Sequence, residues 1–255
     1  MKDLRYGEMP VTVYGSNAEL GAAAGEDMAR ILRTAVAAHG AAAIIVATGN
    51  SQLTFLAALR TAPGIPWGRV SVFHMDEYLG MRPDHPASFR RFLHEKLIDV
   101  VHPAAFYGMA GDAPDVTAEM ARYAALLAEH RPVACALGIG ENGHLAFNDP
   151  PADFSTPKLI HVVRLAETAR RQQVGEGHFA TLADVPTEAI SLTIPALLAP
   201  PHVLAIVPEA RKAAAVKAAL EGPLSADCPA SILATRGHVK LYLDPDSAAL
   251  LSALR

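Results

Sequence analysis

Short apolar runs alternate with longer amphipathic stretches along this chain. Val11–Tyr14, Ala42–Ala47, Val70–Met75, Val133–Leu137, Ala189–Ile194, Val203–Val207 and Val239–Leu243 are each short, rich in Val, Ile, Leu and Ala, and bounded by turn residues. Runs of this kind predict strands buried on both faces, as in a parallel sheet. Between them, apolar residues recur at helical spacing over 18–38, after the capping pair Ser16-Asn17, and over the stretch that follows Ser51. Further helices are expected over 87–99, 116–130, 209–220 and 247–254. Strand and helix alternate from end to end without a low-complexity linker or an internal repeat. The pattern predicts an α/β fold: one doubly wound, mostly parallel sheet with helices on both faces, a Rossmann-like three-layer arrangement formed as a single domain over 1–255.

One segment departs from the rhythm. From Asp153 to Asp184 a strand-like run, Leu159–Leu165, is followed by Gly175 and Gly177, and prolines crowd the segment's start. A mobile lid over a site is expected at about 153–184.

Composition narrows the class. With 51% hydrophobic residues, 19% charged and no apolar run near the ~18 residues of a membrane span, the chain is expected to be a soluble globular protein. The N-terminus lacks an apolar signal region, so a cytoplasmic location is expected. Cys135 and Cys228 lie far apart, which argues against a disulfide framework or a zinc site. The formal charge of −4 and scattered cations give no reason to expect a nucleic-acid partner. The eleven histidines form no His-x-His or His-x-x-x-His pair, and no metal is expected.

Candidate chemistry gathers at strand ends, where open parallel sheets bind ligands. The stretch Gly138-Ile-Gly-Glu-Asn-Gly-His-Leu-Ala-Phe-Asn-Asp-Pro150 leaves the fourth strand run, Val133–Leu137. Its glycines permit a tight path and close approach of backbone to ligand, and His144 and Asp149 add titratable side chains. Its opening Gly-x-Gly-x-x-Gly is not a dinucleotide fingerprint, because Asn148-Asp149-Pro150-Pro151 breaks any helix and no acid follows at the required distance. No nicotinamide cofactor is expected, nor any other. Thr48-Gly49-Asn50-Ser51 joins a strand to a helix N-terminus, a natural anion pocket or an ordinary capped turn. Asp76 and Glu77 end the third strand and are candidates for acid-base work or an acidic turn. Arg211 and Lys212 occupy the first turn of a helix, where a bound anion would offset their repulsion by the helix dipole; two exposed basic residues are the plainer alternative. Arg90, Arg91 and Lys96 are expected on a solvated helix face.

Three motifs in order, Ala47-Thr-Gly-Asn-Ser-Gln52, Phe73-His-Met-Asp-Glu-Tyr-Leu-Gly80 and Leu137–Pro150, resemble the glucosamine-6-phosphate deaminase family. The likeness extends through Asp84-His-Pro-Ala-Ser88, Val185-Pro186 and Arg211-Lys-Ala213. The sister 6-phosphogluconolactonases usually follow Gly-His with Thr-Ala-Ser-Leu-Phe-Pro, whereas this chain has Leu-Ala-Phe-Asn-Asp-Pro. The resemblance implies conversion of a phosphorylated amino sugar, glucosamine-6-phosphate or a close relative, to fructose-6-phosphate and ammonia, by a monomer or a homo-oligomer. It implies Asp76 as the base that moves a proton between C2 and C1, and His144 as the ring-opening residue. It implies Thr48, Gly49, Asn50, Ser51 and Lys212 around the phosphate, with Glu77 beside them.

Two departures alter the histidine's partners: Asn142 stands where many members carry an acid, and Asp149 where they carry Glu. A third falls in the lid segment, where the family's phosphate-binding arginine aligns near Glu176, with Arg170 and Arg171 as alternatives. A lactonase-like hydrolase, another sugar-phosphate isomerase and a non-catalytic sugar-phosphate sensor are the competing functions. The presence of Asp76 and His144, and the lack of room for a helix-turn-helix before Val11, weigh against the sensor.

Overall fold

Successive residues of the central strands enter two different cores, and this places helices on both sides of the sheet. In the computed structural model, which describes residues 1–175, 177 and 179–254, Ile44, Val46, Val72 and Ala136 pack with the helices Asn17–His39 and Leu53–Thr61. Their neighbours Ile45, Phe73, Cys135 and Leu137 pack on the opposite face with Tyr123 and Leu127 of the helix Val116–His130 and Val216 and Leu220 of the helix Ala213–Glu221. A strand whose alternate side chains are all buried must be covered twice, as the unbroken apolar runs predicted.

Eleven strands are present among the described residues: β1 Lys2–Tyr6, β2 Met9–Val13, β3 Ala42–Val46, β4 Val70–His74, β5 Asp76–Tyr78, β6 Ala105–Tyr107, β7 Ala134–Leu137, β8 Ile160–Arg164, β9 Glu188–Leu192, β10 His202–Val207 and β11 Val239–Leu243. Eight form the main sheet in the order β1-β2-β11-β10-β7-β3-β4-β6. All its pairings are parallel except β1 with β2, an antiparallel hairpin at the edge. The chain builds outward from β3 through β4 to β6, then returns to the other side of β3 with β7 and proceeds to β10 and β11. The reversal between β3 and β7 opens a crevice at their carboxyl ends, the place where an open α/β sheet receives its ligand.

The second sheet was not foreseen. β5, β9 and β8 form a small antiparallel sheet, with Asp76 opposite Ser191 and Ser191 opposite His161. It has its own core of Tyr78, Met81, Phe147, Leu165, Phe179 and Val185. The predicted lid thus contains β8, the helix Glu167–Gly175 and a 3-10 turn, Leu182–Asp184.

Other differences are local. The predicted helix over 87–99 runs from Phe89 to Val101 with a π turn at His94–Ile98. The predicted C-terminal helix is instead a series of turns ending in a 3-10 turn, Ser252–Leu254. There Ser247 ties back to Asp244, and Ala248 and Leu251 are buried, so tertiary packing overrides a short helical pattern. No described helix is long and apolar enough to cross a membrane.

Candidate active site

Four neighbouring strands deliver the site. β3 ends at Thr48–Ser51, β4 leads through Met75 to Asp76, β7 ends at Gly138, and β10 leads to Arg211 and Lys212; residues from all four line one pocket. Phe89 and Phe147 belong to its wall, and Gln173 reaches it from the helix Glu167–Gly175.

Asp76 and Glu77, adjacent in sequence, part company in space. Successive side chains of a strand point to opposite faces, so only one of the two can face the crevice. Asp76 lines the pocket and is 6% exposed. Burial, reinforced by the neighbouring Glu77 charge, pushes its carboxyl up to about 8. Glu77 is fully buried and turned away from the pocket, a correction to its expected place beside the phosphate. Its carboxylate accepts hydrogen bonds from Ser88 Oγ at 2.8 Å and from the amides of Phe89 and Arg90 at 3.2 Å, at the N-terminus of the helix that begins at Phe89. Arg90 approaches it at 3.4 Å and also pairs with Asp112 at 2.9 Å. With its side chain only 12% exposed, Arg90 is no solvated residue, against expectation, whereas Arg91 pairs with Glu95 in solvent. Burial raises the Glu77 carboxyl even though these donors favour its charge.

His144 is held from three sides. Its Nδ1 lies 2.8 Å from Asn142 Oδ1 and 3.3 Å from Asp149 Oδ1. Asn142 Nδ2 donates to that same Asp149 oxygen at 3.0 Å, so the amide oxygen is the atom turned to the imidazole. Two acceptors at Nδ1 place a proton there and leave Nε2 of the neutral ring as the acceptor. The third support is Gly140: a Cβ at that position would lie 2.2 to 2.3 Å from Cε1, Nδ1 and Nε2 of the ring. The glycine therefore sits flat against one face of the imidazole, and any side chain there would force the ring to shift. Gly143, at φ 85°, turns the chain from Asn142 back to His144. Asp149 is drawn below the usual carboxylate range: burial opposes its charge, but His144 and Asn142 outweigh it.

The loop is pinned to the small sheet. Ser191 Oγ accepts from the Phe147 amide at 3.1 Å, and Asn148 Nδ2 donates to the carbonyls of Leu145 and Leu192 at 2.7 and 2.8 Å. β9 thus touches both the loop bearing His144 and, through its pairing with β5, the strand bearing Asp76. Neither tie was read from the sequence, although the alternation of β9 already turned Ser191 to one side.

The residues expected around an anion, Thr48–Ser51 and Lys212, line the same pocket. Thr48 and Ser51 are half-buried at the turn before the helix Leu53–Thr61, and Asn50 is exposed. Lys212, only 4% exposed, stands at the start of the helix Ala213–Glu221, so the alternative of an exposed basic residue fails for it. Arg170 and Arg171 are directed elsewhere: Arg170 donates to the carbonyls of Leu182 and Val185, and Arg171 pairs with Glu167. Glu176, where the family's arginine aligns, lies outside the described residues.

Comparison with known proteins follows the same lines. The sequence profile of the glucosamine-6-phosphate isomerases/6-phosphogluconolactonase family matches residues 15–242. A glucosamine-6-phosphate deaminase of Exiguobacterium sibiricum is 38% identical over 207 residues, covering 81% of this chain and 80% of that protein. One from Pseudarthrobacter chlorophenolicus is 32% identical over 248 residues, 95% of this chain and 93% of that protein. The solved structure of a monomeric glucosamine-6-phosphate deaminase superposes with a TM-score of 0.87 at 27% identity, covering 94% of this chain and 99% of that one. With the profile spanning most of its length, the chain belongs to the family of glucosamine-6-phosphate isomerases and 6-phosphogluconolactonases.

Proposed function

We propose that this protein converts glucosamine-6-phosphate to fructose-6-phosphate and ammonia, with Asp76 and His144 as its proton-transfer groups. The observation that carries the proposal is the convergence on one pocket of the buried Asp76 carboxyl, the His144 imidazole, the Thr48–Ser51 turn and Lys212.

The phosphate occupies the anion end, held by the turn amides at a helix N-terminus and by the Lys212 ammonium. His144 Nε2 takes the proton of the anomeric hydroxyl and returns it to the ring oxygen, which opens the sugar. Its Nδ1–H stays on Asn142 and Asp149 throughout. Asp76 then removes the proton on C2 and delivers it to C1, while O1 takes up a proton given off by the substrate's ammonium, so that the C1 aldehyde becomes an alcohol and C2 an iminium. Water adds to that iminium, ammonia leaves and the ketose phosphate remains. A carboxyl raised to about 8 is a strong base once ionised, and the substrate's cationic amine favours its ionised form.

The whole chain forms one sugar-phosphate domain on this proposal, and the segment at about 153–184 closes over the bound sugar. Two contacts support that closure: Gln173 lines the pocket, and the Ala166 amide lies 3.4 Å from Asp149 Oδ2. The two unpaired cysteines suit a cytoplasmic enzyme.

The test is turnover. Purified protein is given glucosamine-6-phosphate, galactosamine-6-phosphate and 6-phosphogluconolactone, and ammonia, ketose phosphate and acid are followed. Ammonia with stoichiometric fructose-6-phosphate from the first supports the proposal. Acid from the lactone alone moves the assignment to the lactonase branch, and tight binding without turnover moves it to a sensor.

A further inference from the structure

Arg211 and Lys212 are consecutive and both line the pocket, and among its described lining residues they are its only lysine or arginine side chains. A phosphate monoester near neutral pH carries close to two negative charges. In a partly buried pocket, one lysine leaves much of that charge without a counter-charge, at a cost that a second cation removes.

The surroundings of Arg211 suit that role. Its side chain is 29% exposed, and among the described residues two carboxylates of different origin approach it. Nε donates to Glu209 Oε2 at 2.5 Å. Glu209 is itself anchored, since its amide donates to the Asp244 carboxylate at 3.1 and 3.2 Å. Nη1 lies 3.4 Å from Glu141 Oε1, longer than a charge-assisted hydrogen bond, and Glu141 keeps 43% of its side-chain surface. Glu141 belongs to the Gly138–Pro150 loop, three residues before His144. Of these two, Glu209 orients the guanidinium, and Glu141 is the weaker partner that an entering dianion can replace.

We propose that Arg211 is a second ligand of the substrate phosphate and that Glu141 is the carboxylate the phosphate displaces. Filling the anion end would then release one tie on the loop that holds His144. The inference rests on the sugar-phosphate function proposed for the same pocket.

The experiment compares wild type, Arg211→Gln, Arg211→Lys and Glu141→Gln by calorimetric binding of inorganic phosphate and fructose-6-phosphate, with circular dichroism to confirm folding and steady-state kinetics on glucosamine-6-phosphate. Arg211→Gln should weaken both ligands by about tenfold or more and raise KM more than it lowers kcat. Arg211→Lys should recover part of that loss by restoring the charge without the fork. Glu141→Gln should act in the opposite direction and tighten both ligands by roughly two- to fivefold, because it removes a competitor of modest strength. Wild-type affinity in a folded Arg211→Gln, or weaker binding in Glu141→Gln, overturns the inference. If Arg211→Gln does not fold, Glu141→Gln alone decides by its sign. If the wild type releases no ammonia, the proposed reaction falls, while the phosphate series still decides whether Arg211 and Glu141 form this anion site.

Discussion

The two sheets contribute to the pocket in different ways. The eight-stranded sheet offers the ends of β3, β7 and β10, where chain direction and helix termini create places for an anion and a tight loop. The three-stranded sheet offers a wall: β5 carries Asp76 into a buried position, and β9 holds the loop of His144 through Ser191 and Asn148. On the proposed function, binding belongs largely to the parallel sheet and proton chemistry to the seam between the two. Substitutions on either side should separate affinity from rate.

The largest effect is expected at the seam. Asp76→Asn keeps the size of the side chain and removes its basicity, so kcat should fall by at least ~10²-fold, the lower end of a positioned base's contribution. A folded variant with more than half the wild-type activity would exclude Asp76 as the base. The pH dependence of stability gives a second handle. The folded carboxyl titrates at about 8 against an ordinary 3.8. Between these values the folded protein keeps a proton that the unfolded chain has lost, so wild-type stability declines as pH rises through the interval. Asn does not titrate, and the Tm advantage of Asp76→Asn should therefore widen from about pH 5 to about pH 8. A constant Tm difference across that range would mean that Asp76 is not raised.

On the parallel side, Lys212→Ala should raise KM for the phosphorylated substrate by roughly ten- to a hundredfold with a smaller change in kcat, because a phosphate remote from the reacting carbons contributes mainly uniform binding. Equal losses in both constants would place Lys212 at the seam instead.

Asn142 sharpens the contrast within one loop. Asn142→Asp sets a second negative charge beside the His144 ring, favours its protonated form and should move the acidic limb of kcat/KM to higher pH. Asn142→Ala should leave that limb in place and lower the rate several-fold by loosening the ring. An unmoved limb in an active Asn142→Asp would show that His144 does not govern it.

Ser191→Ala should be the mildest. It strips the Phe147 amide of its acceptor, costing about 1–2 kcal/mol of stability. The rate should drop only a few-fold with KM unchanged, a pattern read by urea melts beside steady-state kinetics. A raised KM at constant kcat would transfer Ser191 from the wall to the binding side.

How much of this was legible in the sequence follows the same division. The parallel strands announced themselves because burial on both faces demands unbroken apolar runs, and their boundaries were met within a residue or two. β5 and β6, at three residues each, are too short to show a period, and β1, Lys-Asp-Leu-Arg-Tyr, is a mostly exposed edge strand with little apolar signal. The small sheet was therefore missed, and with it the ties made by Ser191 and Asn148. Asp76, His144, Asn142 and Asp149 stood out because charge and glycine interrupted strand ends. Glu77 misled because it shares that position in the sequence. The opposite orientation of adjacent strand residues was available to separate it from Asp76. Arg90 was misplaced for the converse reason, since its partners Glu77 and Asp112 come from outside its helix, where helical periodicity carries no information.

The contact between Gly140 and the His144 ring carries a stereochemical consequence. With one face of the imidazole against the Gly140 backbone and its Nδ1 edge turned to Asn142 and Asp149, a ligand in the pocket meets the ring at its Nε2 edge or its other face. A pyranose anchored by its phosphate points the anomeric hydroxyl to one side in one anomer and to the other side in its counterpart. The proposed enzyme is accordingly expected to be handed at its first step, and turnover of freshly dissolved single anomers, one faster than the other, would show it.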